Sequence, residues 1–181
     1  MQVEMKSNEA KTLVPNANKF VKSPIRNRIK LELNTPVSQV WELVGDPARM
    51  PEYSEGLQRV KSKKDSAGRC FAFTCYFKPL EAGGKLIVHE MDMLWHETNI
   101  GWASLDLEPN SFNLEESLNL LTFESLGDKT ILNWVMHFNC ATDELVKRNV
   151  AAIEQALNIF ISQRLVQQFG GRILESYVDG K

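Results

Sequence analysis

The chain has 181 residues, 43% hydrophobic and 24% charged, with a formal net charge of -2. That is enough chain for one domain with a real core, which at this size buries roughly 70% of the surface its unfolded chain exposes. The composition excludes a disordered chain, and the near-neutral charge excludes a general attraction to nucleic acid or anionic membrane.

Residues 1–24 are polar and contain Pro15, Asn16, Asn18 and Pro24, which predicts a mobile or loosely draped N-terminal tail, with a targeting segment as the alternative. Residues 25–34 alternate. Ile25, Ile29, Leu31 and Leu33 fall on one face and Arg26, Arg28, Lys30 and Glu32 on the other, the pattern of a half-buried strand. Thr35-Pro36 then opens a helix, with Thr35 as cap and Val37, Val40, Trp41 and Val44 on its apolar face. Gly45-Asp46-Pro47 stops it, and residues 47–54 predict a second short helix or turn.

A run of strands follows. Leu57 to Lys63 has a basic outer face, read as solvated because no aromatic residues interleave with its charges. Arg69 to Phe77 is nearly all apolar or aromatic. In Lys85 to Trp95 the odd positions Ile87, His89, Met91, Met93 and Trp95 are read as inward, and the even ones as outward with Leu94 as an interruption. Asn99 to Leu107 is the next strand. Ser117 to Ser125 and Lys129 to Asn139 form a hairpin across Leu126-Gly127-Asp128. Leu132, Trp134, Met136 and Phe138 share one face of its second strand.

Residues 142–169 make the longest periodic segment. Val146, Val150, Ile153, Leu157, Phe160 and Ile161 recur at helical spacing. Thr142 is the predicted N-cap, Asp143 and Glu144 favour the helix dipole, and Gly170-Gly171 ends a helix roughly 40 Å long. Residues 172–181 are read as a short tail. Strands in a run with segregated helices predict an α+β domain over residues 25–171, with an antiparallel sheet curved around the long helix.

Three cysteines, Cys70, Cys75 and Cys140, lack C-x-x-C spacing, so neither a disulfide framework nor a zinc site is expected. No stretch has the apolar length of a membrane span, and the N-terminus lacks a secretory core, so a cytoplasmic protein is expected.

The opening strand and helix (IRNRIKLELNTPVSQVWELVGDP), the following MPEYSEGLQRV, and the hairpin LTFESLGDKTILNWVMHF before the C-terminal helix resemble the helix-grip superfamily of START-like, Bet v 1-like (SRPBCC) proteins. The turn at residues 65–68 does not match the glycine-rich loop of the plant allergens, so the resemblance points to the bacterial polyketide cyclase/dehydrase and lipid-transport branch. It implies a curved antiparallel sheet of about six to seven strands around the C-terminal helix, two short helices after the first strand, and a mostly apolar cavity. It implies ligands such as lipids, quinones, sterols or polyketides, and it covers both carriers and enzymes.

The predicted lining residues are Tyr53, Phe73, His89, Met91, Trp102, Trp134, Met136, Leu157 and Phe160, with Arg164 near an opening. Methionines suit irregular ligands. His89 is the candidate acid or base, set against the structural role a buried histidine usually has. Counted at roughly 100° per residue from Leu157, Arg164 falls near the centre of the helical stripe, where it would bind a ligand anion or reach out to a carboxylate. His89-Glu90 fails the H-E-x-x-H spacing because Met93 stands where the second histidine should be, so no metal is expected. No cofactor is expected, and no cysteine is fixed beside a histidine by sequence.

These features favour a binding protein for one small hydrophobic molecule. The alternative is a cyclase, aromatase or dehydratase with His89 as acid or base. A module that grips a protein partner is a third class, which nothing in the sequence selects. No nucleic acid and no integral membrane segment are expected, and a homodimer is allowed.

Overall fold

The computed structural model describes residues 11–13, 20–79, 86–96, 100–107 and 109–180; the side chains of residues 11–13, His96 and Phe160 lie outside that description. The strands are β1 (Lys11–Leu13), β2 (Ile25–Leu33), β3 (Leu57–Lys64), β4 (Cys70–Phe77), β5 (Ile87–His96), β6 (Ile100–Asp106), β7 (Glu116–Leu126), β8 (Lys129–Asn139) and β9 (Gly171–Val178). Between β2 and β3 lie α1 (Val37–Val44) and a 3-10 turn, Pro47–Glu52. Between β8 and β9 runs a continuous helix: α2 (Asp143–Gln155), a π-helical stretch, Ala156–Ser162, and α3 (Gln163–Phe169).

The sheet order is β3-β4-β5-β6-β7-β8-β2-β9, and every neighbouring pair along it is antiparallel. β1 pairs in parallel with the end of β5. This is the helix-grip fold, with more strands than the six or seven expected. The additions are β1 and β9, from the two segments read as extension and tail. β9 gives no alternation signal because Arg172 to Tyr177 are all exposed, so no buried face writes a period into its sequence.

Leu31, Leu33, Phe73, Met93, Trp102, Leu121 and Leu132 face the helix side of the sheet and form its core with Leu157, Ile161 and Leu165. The opposite face is also partly covered. Val21, from the N-terminal segment, packs there with Leu94, Ala103, Leu105 and Leu118. That contact explains the apolar Leu94 at an outward position of β5. The segment is held by Glu116, whose Oε1 accepts from Lys22 N at 3.0 Å and Ser23 Oγ at 2.5 Å, and by His137, whose Nδ1 donates to Ser23 O at 3.1 Å.

Thr142 caps α2 by accepting from Leu145 N at 3.2 Å. Thr35 behaves differently from expectation. α1 begins at Val37, with Pro36 in the cap position. The Thr35 hydroxyl donates instead to Phe169 O at 3.0 Å, and Thr130 Oγ1 donates to Thr35 O at 2.7 Å. Thr35 therefore satisfies a carbonyl at the far end of the long helix and ties that end to the sheet. Gly170 follows with φ 70° and closes the helix. At Gly171 a Cβ would come within 1.9 Å of the Glu32 carbonyl oxygen, so β9 leaves the helix through a gap that only glycine passes.

Candidate ligand cavity

A cavity of about 260 Å³ lies between the sheet and the long helix. Its floor comes from alternate residues of β4 to β8, and its roof from Ile153, Leu157 and Ile161. Tyr53, Phe73, His89, Met91, Trp102, Trp134, Met136 and Leu157 all line it. Ala152 lines it too and is itself exposed, which marks a place where the cavity reaches the surface.

Arg164 is not among the lining residues. Its side chain is half exposed, with Nη2 3.6 Å from Glu55 Oε2. The reason is the π-helical stretch directly before it. A π-helix turns through roughly 80° per residue instead of roughly 100°, and over its seven residues the lag exceeds a quarter-turn. Extrapolation from Leu157 therefore aims Arg164 at the core, while the chain turns it toward solvent.

The polar groups cluster on β5, β6, β7 and the β6–β7 connection. His89 Nε2 lies 2.7 Å from Asp106 Oδ2, and both side chains are about nine-tenths buried. A carboxylate only accepts, so Nε2–H is the donor and Nδ1 is left for a second partner. Ser117 Oγ donates to the same carboxylate oxygen at 3.4 Å, and Asn110 Nδ2 at 3.2 Å. Asn110 also folds the connection, its Oδ1 accepting from Phe112 N at 2.9 Å and Leu114 N at 3.3 Å. That turn presents Phe112 edge-on to His89, with ring centroids 5.8 Å apart, and to Phe77, 5.0 Å apart. Asn149 Nδ2 on α2 donates to Phe112 O at 3.2 Å and binds the connection to the helix.

The remaining walls are aromatic or aliphatic and well anchored. Trp102 Nε1 donates to Val44 O at 2.9 Å, and Trp134 Nε1 donates to Asn119 Oδ1. The Tyr53 hydroxyl is buried with no hydrogen-bond partner among the described residues, and burial drives its ionisation well above the ordinary tyrosine range. Burial also pushes the Cys75 thiol up to about 12, which keeps it protonated in the cavity wall at neutral pH. Asp106 is the single carboxylate among the described lining residues, which include no arginine or lysine. No group of three or more metal-ligating side chains occurs among the described residues.

Asp106, Asn110, Ser117, Asn119 and Asn149 were not singled out from the sequence. A signal existed for Asp106: with Trp102 inward on β6, the two-residue period puts Ser104 and Asp106 on the same face.

The profile of a family described as polyketide cyclase / dehydrase and lipid transport matches residues 26–166, from β2 through α3. The chain belongs to that family. Among solved structures, a protein from Thermobifida fusca aligns with TM-score 0.61 at 16% identity, covering 79% of this chain and 91% of that one. The Zhui aromatase/cyclase from Streptomyces aligns with TM-score 0.58 at 12% identity, covering 80% and 93%. Ginseng major latex-like protein 151 from Panax ginseng aligns with TM-score 0.52 at 10% identity, covering 71% and 97%. At these identities the likeness establishes the shared fold. Comparison with the curated proteins finds no significant match by sequence. β9 lies beyond the residues that the polyketide cyclase / dehydrase profile matches. No described helix is long and apolar enough to cross a membrane.

Proposed function

We infer that this family member binds one compact, uncharged hydrophobic molecule, carrying an oxygen or nitrogen function, inside the cavity. The observation that carries this reading is the lining: apolar walls with a short polar arc at His89, Asp106, Ser117 and Asn119. Small-molecule sites take this form, with hydrocarbon supplying affinity and a few polar groups fixing orientation. Size narrows the choice among lipids, quinones and polyketide-like compounds. A dry cavity of about 150 Å³ takes benzene, so about 260 Å³ suits a molecule of one or two rings and is too small for a two-chain lipid. With no lysine or arginine among the described lining residues, a ligand anion has no fixed cation to meet, which favours a quinone, phenol or ketone over a carboxylate or phosphate.

Native mass spectrometry of freshly purified protein, followed by extraction, tests this directly. A bound molecule of that size and class is expected, as is quenching of tryptophan emission on titration with 2-naphthol, because Trp102 and Trp134 form the walls. A protein that carries nothing and leaves 2-naphthol unbound would end the carrier reading.

The His89–Asp106 pair favours a second reading, acid–base chemistry on the bound molecule. Asp106 fixes the ring and its tautomer, and Nδ1 then takes or gives a proton at a ligand carbon or oxygen. His89→Ala separates the two. A carrier loses a few-fold in affinity, whereas an enzyme loses roughly 100-fold or more in rate.

A further inference from the structure

The two edges of the sheet are built differently. β3 carries Arg59, Lys61, Lys63 and Lys64, all exposed, and two such edges would repel one another. Lysine on an edge strand is a common guard against strand pairing. β9 lacks that guard. It is eight residues long, ends the sheet, and leaves Ile173 41%, Leu174 42% and Tyr177 38% exposed. Its outer row of backbone N–H and C=O groups faces no strand among the described residues.

We propose that β9 pairs antiparallel with β9 of a second copy of this chain, about a two-fold axis at Ile173–Leu174. The order of charges selects this occupant. Arg172 stands opposite Glu32 on β2 and Glu175 opposite Lys30, so Arg172 and Glu175 share one face of the sheet. Leu174 is the extra residue of a bulge between them, since Leu31 pairs with Ile173 and Lys30 with Glu175. A two-fold axis at that bulge sets Arg172 of each protomer against Glu175 of the other, and opposite charges directly across strands attract. Ile173 and Leu174 from both copies meet at the axis and leave water. The contact is isologous: one patch, used twice, with complementarity in itself. A foreign strand would satisfy the same backbone groups, but it has no reason to match this Arg-x-x-Glu order.

Sedimentation velocity on the full chain across a concentration series is expected to show a dimer. Arg172→Glu and Glu175→Arg each place like charges across the axis and weaken it by roughly tenfold. Within each protomer Arg172 Nε lies 3.5 Å from Glu32 Oε1 and Glu175 Oε1 lies 2.6 Å from Arg28 Nη2; the double variant Arg172→Glu/Glu175→Arg restores association to within a few-fold although both of these contacts become like-charged. That rescue separates an effect between chains from damage within one. Lys61→Glu on the β3 edge leaves association unchanged. Hydrogen exchange of the wild-type chain gives an answer without substitution: outward amides of residues 171–178 slow as concentration rises, and those of β3 do not. A chain that is monomeric at every concentration overturns the proposal. So does a dimer that neither single substitution weakens, or one that the double substitution fails to restore.

Discussion

His89 Nε2 and Asp106 Oδ2 sit 2.7 Å apart on strands β5 and β6, inside a cavity whose other walls are mostly hydrocarbon. The pair also has a structural task. Asp106 accepts from His89, Ser117 and Asn110, and through Asn110 it fixes the turn that carries Phe112.

Asp106→Ala strands those donors in a largely dry site and is expected to destabilise the fold by about 1–3 kcal/mol. Asp106→Asn keeps an accepting oxygen and should cost less. Urea denaturation of the two variants checks the order, and an alanine variant as stable as wild type would show that solvent already serves these groups.

Tyr53 presents the opposite case, a hydroxyl that is buried and, among the described residues, unpartnered. Tyr53→Phe removes it without changing the ring, so stability should hold or rise by up to about 1 kcal/mol. If the hydroxyl is kept to donate to a ligand oxygen, the same variant binds its ligand more weakly. Thermal melts and ligand titrations of one preparation read both effects, and a large drop in melting temperature would point to a partner for the hydroxyl.

Alkali should unfold the protein early. The Cys75 thiol is pushed from 9.0 up to about 12 by burial, and Tyr53 is shifted upward from 10.0 for the same reason. In the unfolded chain both groups lose protons near their ordinary values. Above pH 9 the folded state therefore holds more protons than the unfolded state, and stability falls as pH rises. Each group contributes a slope of up to about 1.4 kcal/mol per pH unit. Below pH 9 the contribution of both is fully present. Cys75→Ala should flatten the first part of this fall, seen as a smaller drift of the urea midpoint between pH 9 and 10.

Val21 is 1% exposed on the outer face of the sheet, against Leu94, Ala103, Leu105 and Leu118. Val21→Asp should detach that segment at a cost above about 2 kcal/mol and uncover an apolar patch. Fluorescence of the dye ANS should rise. Unchanged dye binding would mean that the patch stays covered without Val21.

The architecture was legible in the sequence because its signals are periodic. Ile87, His89, Met91, Met93 and Trp95 write the inward face of β5, and the Thr142 cap with Gly170 brackets the long helix. What escaped is what lacks a period or changes one. β9 leaves Arg172 to Tyr177 exposed, with only Val178 buried at its end, and so has no alternation. The π-helical stretch shifts the phase of the helix between Leu157 and Arg164, and no residue type announces it. Thr35-Pro36 reads locally as the start of a helix, whereas the Thr35 hydroxyl serves Phe169, 134 positions away, a partner that only the fold supplies. The polar arc around Asp106 is a matter of convergence: three strands and a turn bring together residues whose separate positions look like ordinary strand ends.

The narrow passage at Gly171 bears on how this chain relates to others of its fold. In this chain the strand that follows the long helix reaches β2 only because the first residue past the turn carries no side chain. Among sequences that share the core, glycine at this position should appear and vanish together with the ninth strand. Replacing Gly171 in this chain is expected to push β9 off β2, and the edge proposed to pair with a second copy is expected to go with it.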